Sequence, residues 1–176
     1  MQKKIVVGLG NPGNEYERTY HNVGIIALRA ITANIEKGGA TLIWKTHKHL
    51  FRAAAAGNVV LIEPLTFMNE SGAAVREALK KFNASPADLT VIHDESDLPV
   101  GTYRLSSGGS SAGHRGVQSI IDALGSQDFA RARIGIRPTN EIKRKKASAF
   151  VLVHVTPGNQ EKIEGAIGEM IDKLTG

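Results

Sequence analysis

The sequence predicts an α/β fold: one domain over residues 1–176, built on a single twisted, mostly parallel mixed sheet flanked by helices. Short apolar runs rich in Val and Ile, each cut off by Gly or Pro, recur along the chain as buried strands do. Between them, apolar residues return at helical spacing. No repeat or long linker divides the chain, and 176 residues are enough to bury about 70% of the surface an unfolded chain would expose.

Each element follows from these signals. Residues 4–9 (KIVVGL) read as a buried strand ending in a glycine loop that runs to about His21. Val23, Ala27, Ala30, Ile31 and Ile35 then mark a helix that Gly38 and Gly39 stop. Residues 41–46, 50–56 and 59–63 read as three β pieces, the last ended by Pro64. Val75, Leu79 and Phe82 lie on one stripe of a second helix, with Asn69 or Ser71 as its N-cap. Residues 89–93 form a buried strand leading into an acidic turn (Asp94, Glu95, Asp97), and residues 102–105 another strand. A Ser/Gly loop, 106–113, opens a helix over about 117–124. Residues 132–136 are strand-like, 150–155 read as an edge strand, and 160–174 as an amphipathic closing helix.

Composition narrows the function. Zero Cys excludes disulfides, thiolate zinc sites, iron–sulfur clusters and Cys nucleophiles. The start is too short and too soon broken by glycine for a signal peptide, and no 18-residue apolar run occurs, so the expected compartment is the cytoplasm. The formal charge of +5 has an address. Between Arg131 and Lys146 lie seven cations (Arg131, Arg133, Arg137, Lys143, Arg144, Lys145, Lys146) against Glu141 alone, which leaves the other 160 residues at −1. A polyanion docked at one place fits this better than a generally adhesive surface. Arg131 and Arg133, at i and i+2 on a strand, share one sheet face. With aromatics at 5%, phosphate contacts should outweigh base stacking.

In an open α/β sheet, residues past the C-terminal ends of strands converge on one crevice. Asn11, His21, Asn69 and Asp94 all sit at such positions. A neutral imidazole takes a proton from water more readily when a carboxylate holds its other nitrogen, and Asp94 is the best candidate to do this for His21. Asn amides can donate to a developing oxyanion. Taken singly, each of these residues also reads as a turn or cap, and Met68 as core. Residues 8–13 match GxGxxG, but the polar, aperiodic stretch 14–21 replaces the helix a dinucleotide site requires. Residues 109–113 match G-x-S-x-G around Ser111, but flexible residues separate the strand from the serine, and its downstream Asp and His partners fall in poor places. A phosphate-facing or lid loop reads better there.

Taken together, VGLGNPG at 7–13 with Tyr16 and Arg18, HNVG at 21–24, PLTFMNESG at 64–72, HDESDLPVG at 93–101, GHRG at 113–116 and QDFARARIGI at 127–136 resemble the bacterial peptidyl-tRNA hydrolases, in family order and over most of the chain. The resemblance implies a monomeric α/β enzyme that cleaves the ester between a peptide and the 3′ end of tRNA without cofactor or metal. It assigns His21 as the base that activates water, Asp94 as its orienting partner and Asn69 as a ligand of the water or the oxyanion. Asn11 contacts the peptide end near the 3′ adenosine, Met68 and Tyr16 line the same site, and His114 and the residue after it touch substrate. That residue is Arg115, where the family pattern has Asn. Basic residues at Arg104, Arg131 and Arg133 would hold tRNA phosphate. Two other readings stay open from the sequence: a non-catalytic RNA-binding relative of the same fold, and a serine hydrolase acting through Ser111.

Overall fold

The computed structural model describes residues 2–139 and 146–175, so Lys143, Arg144 and Lys145 lie outside the described residues. Seven strands form one sheet: β1 (Lys4–Gly8), β2 (Lys45–His47), β3 (Phe51–Ala56), β4 (Val59–Pro64), β5 (Leu89–Pro99), β6 (Tyr103–Ser107) and β7 (Ala130–Arg137). Their spatial order is β2-β3-β4-β1-β5-β7-β6. The four central strands, β4-β1-β5-β7, run parallel, and both flanks are antiparallel. The expected parallel character therefore belongs to the centre, where helical crossovers supply the connections.

Strand period 2 sorts the apolar residues onto two faces. Ile5, Val7, Ile62 and Val91 pack beneath α2 (Ser71–Phe82) and α3 (Arg115–Leu124). Leu61, Ile92, Ala132 and Ile134 pack beneath α1 (Val23–Lys37) and α4 (Pro157–Thr175). Burial of such side chains stabilises by roughly 1.5–3 kcal/mol each before the entropy of ordering them is counted.

Some segments differ from the sequence reading. Of the first β piece only Lys45 and Thr46 pair, in a strand that runs on to His47, and Pro64 closes its strand opposite Phe51. Asn69 is not a side-chain cap; it lies in a 3-10 turn, Met68–Glu70, ahead of α2. Residues 150–155 form turns rather than an edge strand: a 3-10 turn at Ala147–Ala149 precedes them, and one isolated bridge joins Thr19 to His154. The acidic turn is strand, since β5 continues through Asp94, Glu95 and Asp97 to Pro99 while pairing with β7.

That last difference positions the site. The end of β1, Gly8, pairs with Ile92, so Asp94 stands two residues beyond its neighbour strand with one flank open. Gly24, in the first turn of α1, fills the opening. A Cβ there would lie 2.4 Å from the Ile92 carbonyl oxygen and 2.6 Å from the Leu9 backbone nitrogen, atoms fixed in the sheet. Glycine lets the start of α1 rest on the backbone of β1 and β5, which brings the preceding turn, Tyr20–Asn22, against Asp94.

Gly24→Ala should therefore cost about 1–3 kcal/mol through overpacking. Gly165→Ala, exposed on α4 with nothing near its Cβ, should be neutral or stabilising by up to about 1 kcal/mol. Denaturant unfolding of both variants checks this, and a Gly24→Ala protein as stable as wild type would show that the close approach is not required.

Candidate active site

Three loops and one strand meet over the end of β1. Asn22, just ahead of α1, uses its side chain as a peptide unit would: its Oδ1 accepts from the Asn11 backbone N–H at 2.9 Å and its Nδ2 donates to the Asn11 carbonyl at 3.0 Å. Asn11 is thereby fixed, and its Oδ1 accepts the Met68 N–H at 2.8 Å. The loop after β1, the start of α1 and the turn before α2 are tied together. The Asn11 amide Nδ2 stays available as a donor.

The turn carrying His21 is held from the far end of the chain. Tyr20 N–H donates to the Val153 carbonyl and His21 N–H to the Val151 carbonyl at 2.8 Å. His21 Nδ1 lies 2.8 Å from Asp94 Oδ1, and His114 Nε2 lies 2.7 Å from the same oxygen. The hydrogen-bond network assigns the tautomers. His114 caps α3 with Nδ1, which accepts the Val117 N–H at 3.2 Å, so its proton is on Nε2 and points to Asp94. His21 donates from Nδ1, which leaves its Nε2 lone pair free.

Asp94 is 3% exposed. Burial alone would raise its pKa, but the two histidines that face it and hydrogen-bond to it outweigh burial and hold the carboxyl well below the usual carboxylate range. An aspartate this acidic leaves the shared proton on His21 Nδ1. His93, also buried, donates Nδ1–H to the Asp94 carbonyl at 2.7 Å and sets its ring edge-on to His114. Burial, then the repulsion that a protonated His114 would exert, push its pKa down to about 3, so it is a neutral spacer. The ligand atoms of His21, Asp94 and His114 lie within 4.8 Å of one another, close enough to hold a divalent cation, but hydrogen bonds already satisfy the group.

A cleft of about 640 Å³ opens over this cluster. Among the residues singled out from sequence, Asn11, His21, Met68, Asn69, Asp94, His114 and Arg115 line it together. Tyr16 does not; it stands behind Phe67, edge-on at 6.3 Å between ring centroids. Ser111 also lines the cleft, but its hydroxyl donates to Gln118 Oε1 at 2.8 Å and no imidazole holds it, as a nucleophile would require. The sequence reading overlooked Phe67 and Leu152, apolar side chains on the cleft wall that remain 49% and 55% exposed. Phe67 could have been found as an apolar residue in a segment with no helix or strand to bury it, whereas Leu152 was hidden by the edge strand read over 150–155.

The arginines separate into different jobs. Arg104 is exposed on edge strand β6, in register opposite Arg133 of β7. Arg133 pairs with Glu95 at 3.3 Å. Arg131 is corrected: it is only 4% exposed, and its guanidinium donates to the carbonyls of Gly109 and Ser110. The cation expected on tRNA phosphate instead pins the Ser/Gly loop, which is therefore tied down rather than a free lid.

The sequence and the fold both match known proteins. A family profile described as peptidyl-tRNA hydrolase matches residues 5–175. The peptidyl-tRNA hydrolase of Aquifex aeolicus is 41% identical over 173 residues, covering 97% of this chain and 88% of that protein. The Mycobacterium tuberculosis enzyme is 41% identical over 165 residues, covering 90% and 82%. A crystal structure of peptidyl-tRNA hydrolase from Acinetobacter baumannii superposes with a TM-score of 0.86 at 30% identity, over 98% of this chain and 87% of that one.

The buried cluster has a pH signature. His93 has a folded pKa of about 3, below its ordinary 6.5, so the unfolded chain binds the extra proton and stability falls as pH drops through that interval. Asp94 acts lower: its contribution is present above the unfolded carboxylate value of about 3.9 and is lost below it, as pH falls toward the depressed folded value. Between pH 6.5 and about 4.5, unfolding free energy should therefore fall less steeply for His93→Asn than for wild type. Equal slopes in denaturant titrations would mean that His93 is not held neutral.

Proposed function

The chain belongs to the peptidyl-tRNA hydrolase family and hydrolyses peptidyl-tRNA, and from that premise we propose that a water activated by His21 attacks the ester directly, with no covalent intermediate. The observation that carries this reading is the 2.8 Å contact between His21 Nδ1 and Asp94, which commits that nitrogen as donor and aims a free Nε2 lone pair from the cleft wall.

The steps follow from the chemistry of the ester. Water attacks the carbonyl carbon as His21 Nε2 takes its proton, and Asp94 stabilises the imidazolium that forms. The carbonyl oxygen becomes an oxyanion, for which the amides of Asn69 and Asn11 are the available neutral donors at the cleft. When the tetrahedral intermediate collapses, the bond from carbon to the ribose oxygen breaks. The imidazolium returns its proton to that oxygen, releasing the peptide as an acid and tRNA with a free hydroxyl. His114 takes part indirectly, since its second hydrogen bond to Asp94 Oδ1 lowers the basicity of that carboxylate. An ester to a ribose hydroxyl has a good enough leaving group for this route, and the engaged hydroxyl of Ser111 supports leaving serine out of it.

Phe67 and Leu152 give the cleft apolar walls for a peptide, while Arg104 and Arg133 form a basic pair on the sheet edge for tRNA phosphate. Exposed Lys146 continues the basic segment toward the 3-10 turn whose residues Ala147 and Ser148 line the cleft. One chain supplies the whole cluster, which supports action as a monomer. No described helix is long and apolar enough to cross a membrane.

Purified protein should deacylate N-acetylaminoacyl-tRNA much faster than unblocked aminoacyl-tRNA. His21→Ala should lower that rate about 10³-fold with the melting temperature little changed, and Ser111→Ala should keep most of it. A His21→Ala protein of near wild-type rate would remove His21 as the base. Neutralising Lys143, Arg144, Lys145 and Lys146 together should raise KM for full-length tRNA more than for a short aminoacyl-oligonucleotide and flatten the salt dependence. Equal effects on both substrates would detach the basic segment from tRNA.

A further inference from the structure

Charge inside the cleft is unevenly settled. Its two carboxylates are spent: Asp94 on the histidines, and Glu95 on Arg133 and on the Asp97 N–H at 3.0 Å. Arg115 is the one Lys or Arg among the lining residues. It is exposed, and it makes no hydrogen bond or ion pair among the described residues. Its position is also electrostatically unfavourable, because Arg115 is the first residue of α3 and a cation there faces the positive end of the helix dipole. Next to it, His114 is anchored on Asp94 and as cap of the helix, so the backbone from which Arg115 projects is fixed relative to the proposed base.

A planar guanidinium fork matches an oxyanion with two equivalent oxygens. Every substrate of the reaction proposed above carries one such group close to the scissile ester: the phosphodiester on the 5′ side of the terminal ribose, one sugar away. A peptide carboxylate would meet the same chemistry, but only acidic peptides bring one. We propose that Arg115 pairs with the phosphodiester immediately 5′ of the terminal adenosine, and by doing so sets where the ester lies against His21. Arg115 is then a positioning residue that replaces a neutral contact with an ionic one. The proposal rests on the reading of His21 as base.

A double-mutant cycle between protein and RNA tests it. Two N-acetylaminoacyl-tRNAs are prepared, both with a 2′-O-methyl penultimate sugar, one with the natural last linkage and one with that linkage as an uncharged methylphosphonate. Each is assayed with wild type, Arg115→Gln and Arg115→Lys. On the natural linkage, Arg115→Gln should lower kcat/KM about tenfold, mostly through KM, with Arg115→Lys recovering part of the loss. Wild type should lose a similar factor on the methylphosphonate, and Arg115→Gln should lose little more, because one interaction cannot be removed twice. Losses that multiply, or no loss for Arg115→Gln on the natural linkage, would overturn the proposal. A loss confined to substrates esterified through Asp or Glu would overturn it in favour of a peptide carboxylate. If wild type failed to release peptide from the natural substrate, the hydrolase reading itself would fall, which is a separate result.

Discussion

One carboxylate oxygen organises this molecule. Asp94 Oδ1 accepts hydrogen bonds from two imidazoles that arrive on different elements, His21 from the turn before α1 and His114 from the cap of α3. A buried carboxylate is costly unless its lone pairs are filled, and here the two donors more than offset the burial. The backbone makes the meeting possible. β5 outruns β1, Gly24 lets α1 rest on the exposed end of the sheet, and Gly116 leaves room for Met68, whose sulfur would lie 2.4 Å from a Cβ there. Each device is small, and together they let the donors close on Asp94.

The division between catalysis and charge follows. The cluster sits in the part of the chain whose formal charges nearly cancel, and the Glu95 carboxylate beside it in the cleft is paired with Arg133. Among the described residues, cations without an ion pair include Arg104 on the edge strand and Arg115 in the cleft itself.

Much of this was legible in the sequence because it depends on local rules. The rule for crevices of α/β sheets was enough to gather Asn11, His21, Asn69 and Asp94, and the family motifs added Met68, His114 and Arg115. What stayed hidden depends on relative strand length and on packing. Asp94, Glu95 and Asp97 look like a turn because strands seldom carry three acids in four residues; they are strand because β7 pairs with them after β1 has ended. Strand period correctly put Arg131 and Arg133 on one face, but periodicity is blind to the loop that folds over Arg131 and covers it. Residues 150–155 are apolar enough for a strand, yet their backbone serves the His21 turn instead. Tyr16 packs edge-on against Phe67, and it is Phe67 that lines the cleft.

The bonds that hold the His21 turn also carry a consequence for biosynthesis. The backbone of residues 18–21 is fastened by Val155 N–H to the Arg18 carbonyl and by the carbonyls of Val151 and Val153, about 130 positions later in the chain. On a ribosome that adds residues from the N-terminus, every strand of the sheet emerges before these fasteners do. A nascent chain can therefore build its scaffold early, while the His21 turn gains these bonds only once residues 151–155 have been made. A chain halted after β7 but before these residues would hold all seven strands of the sheet without the bonds that orient the base.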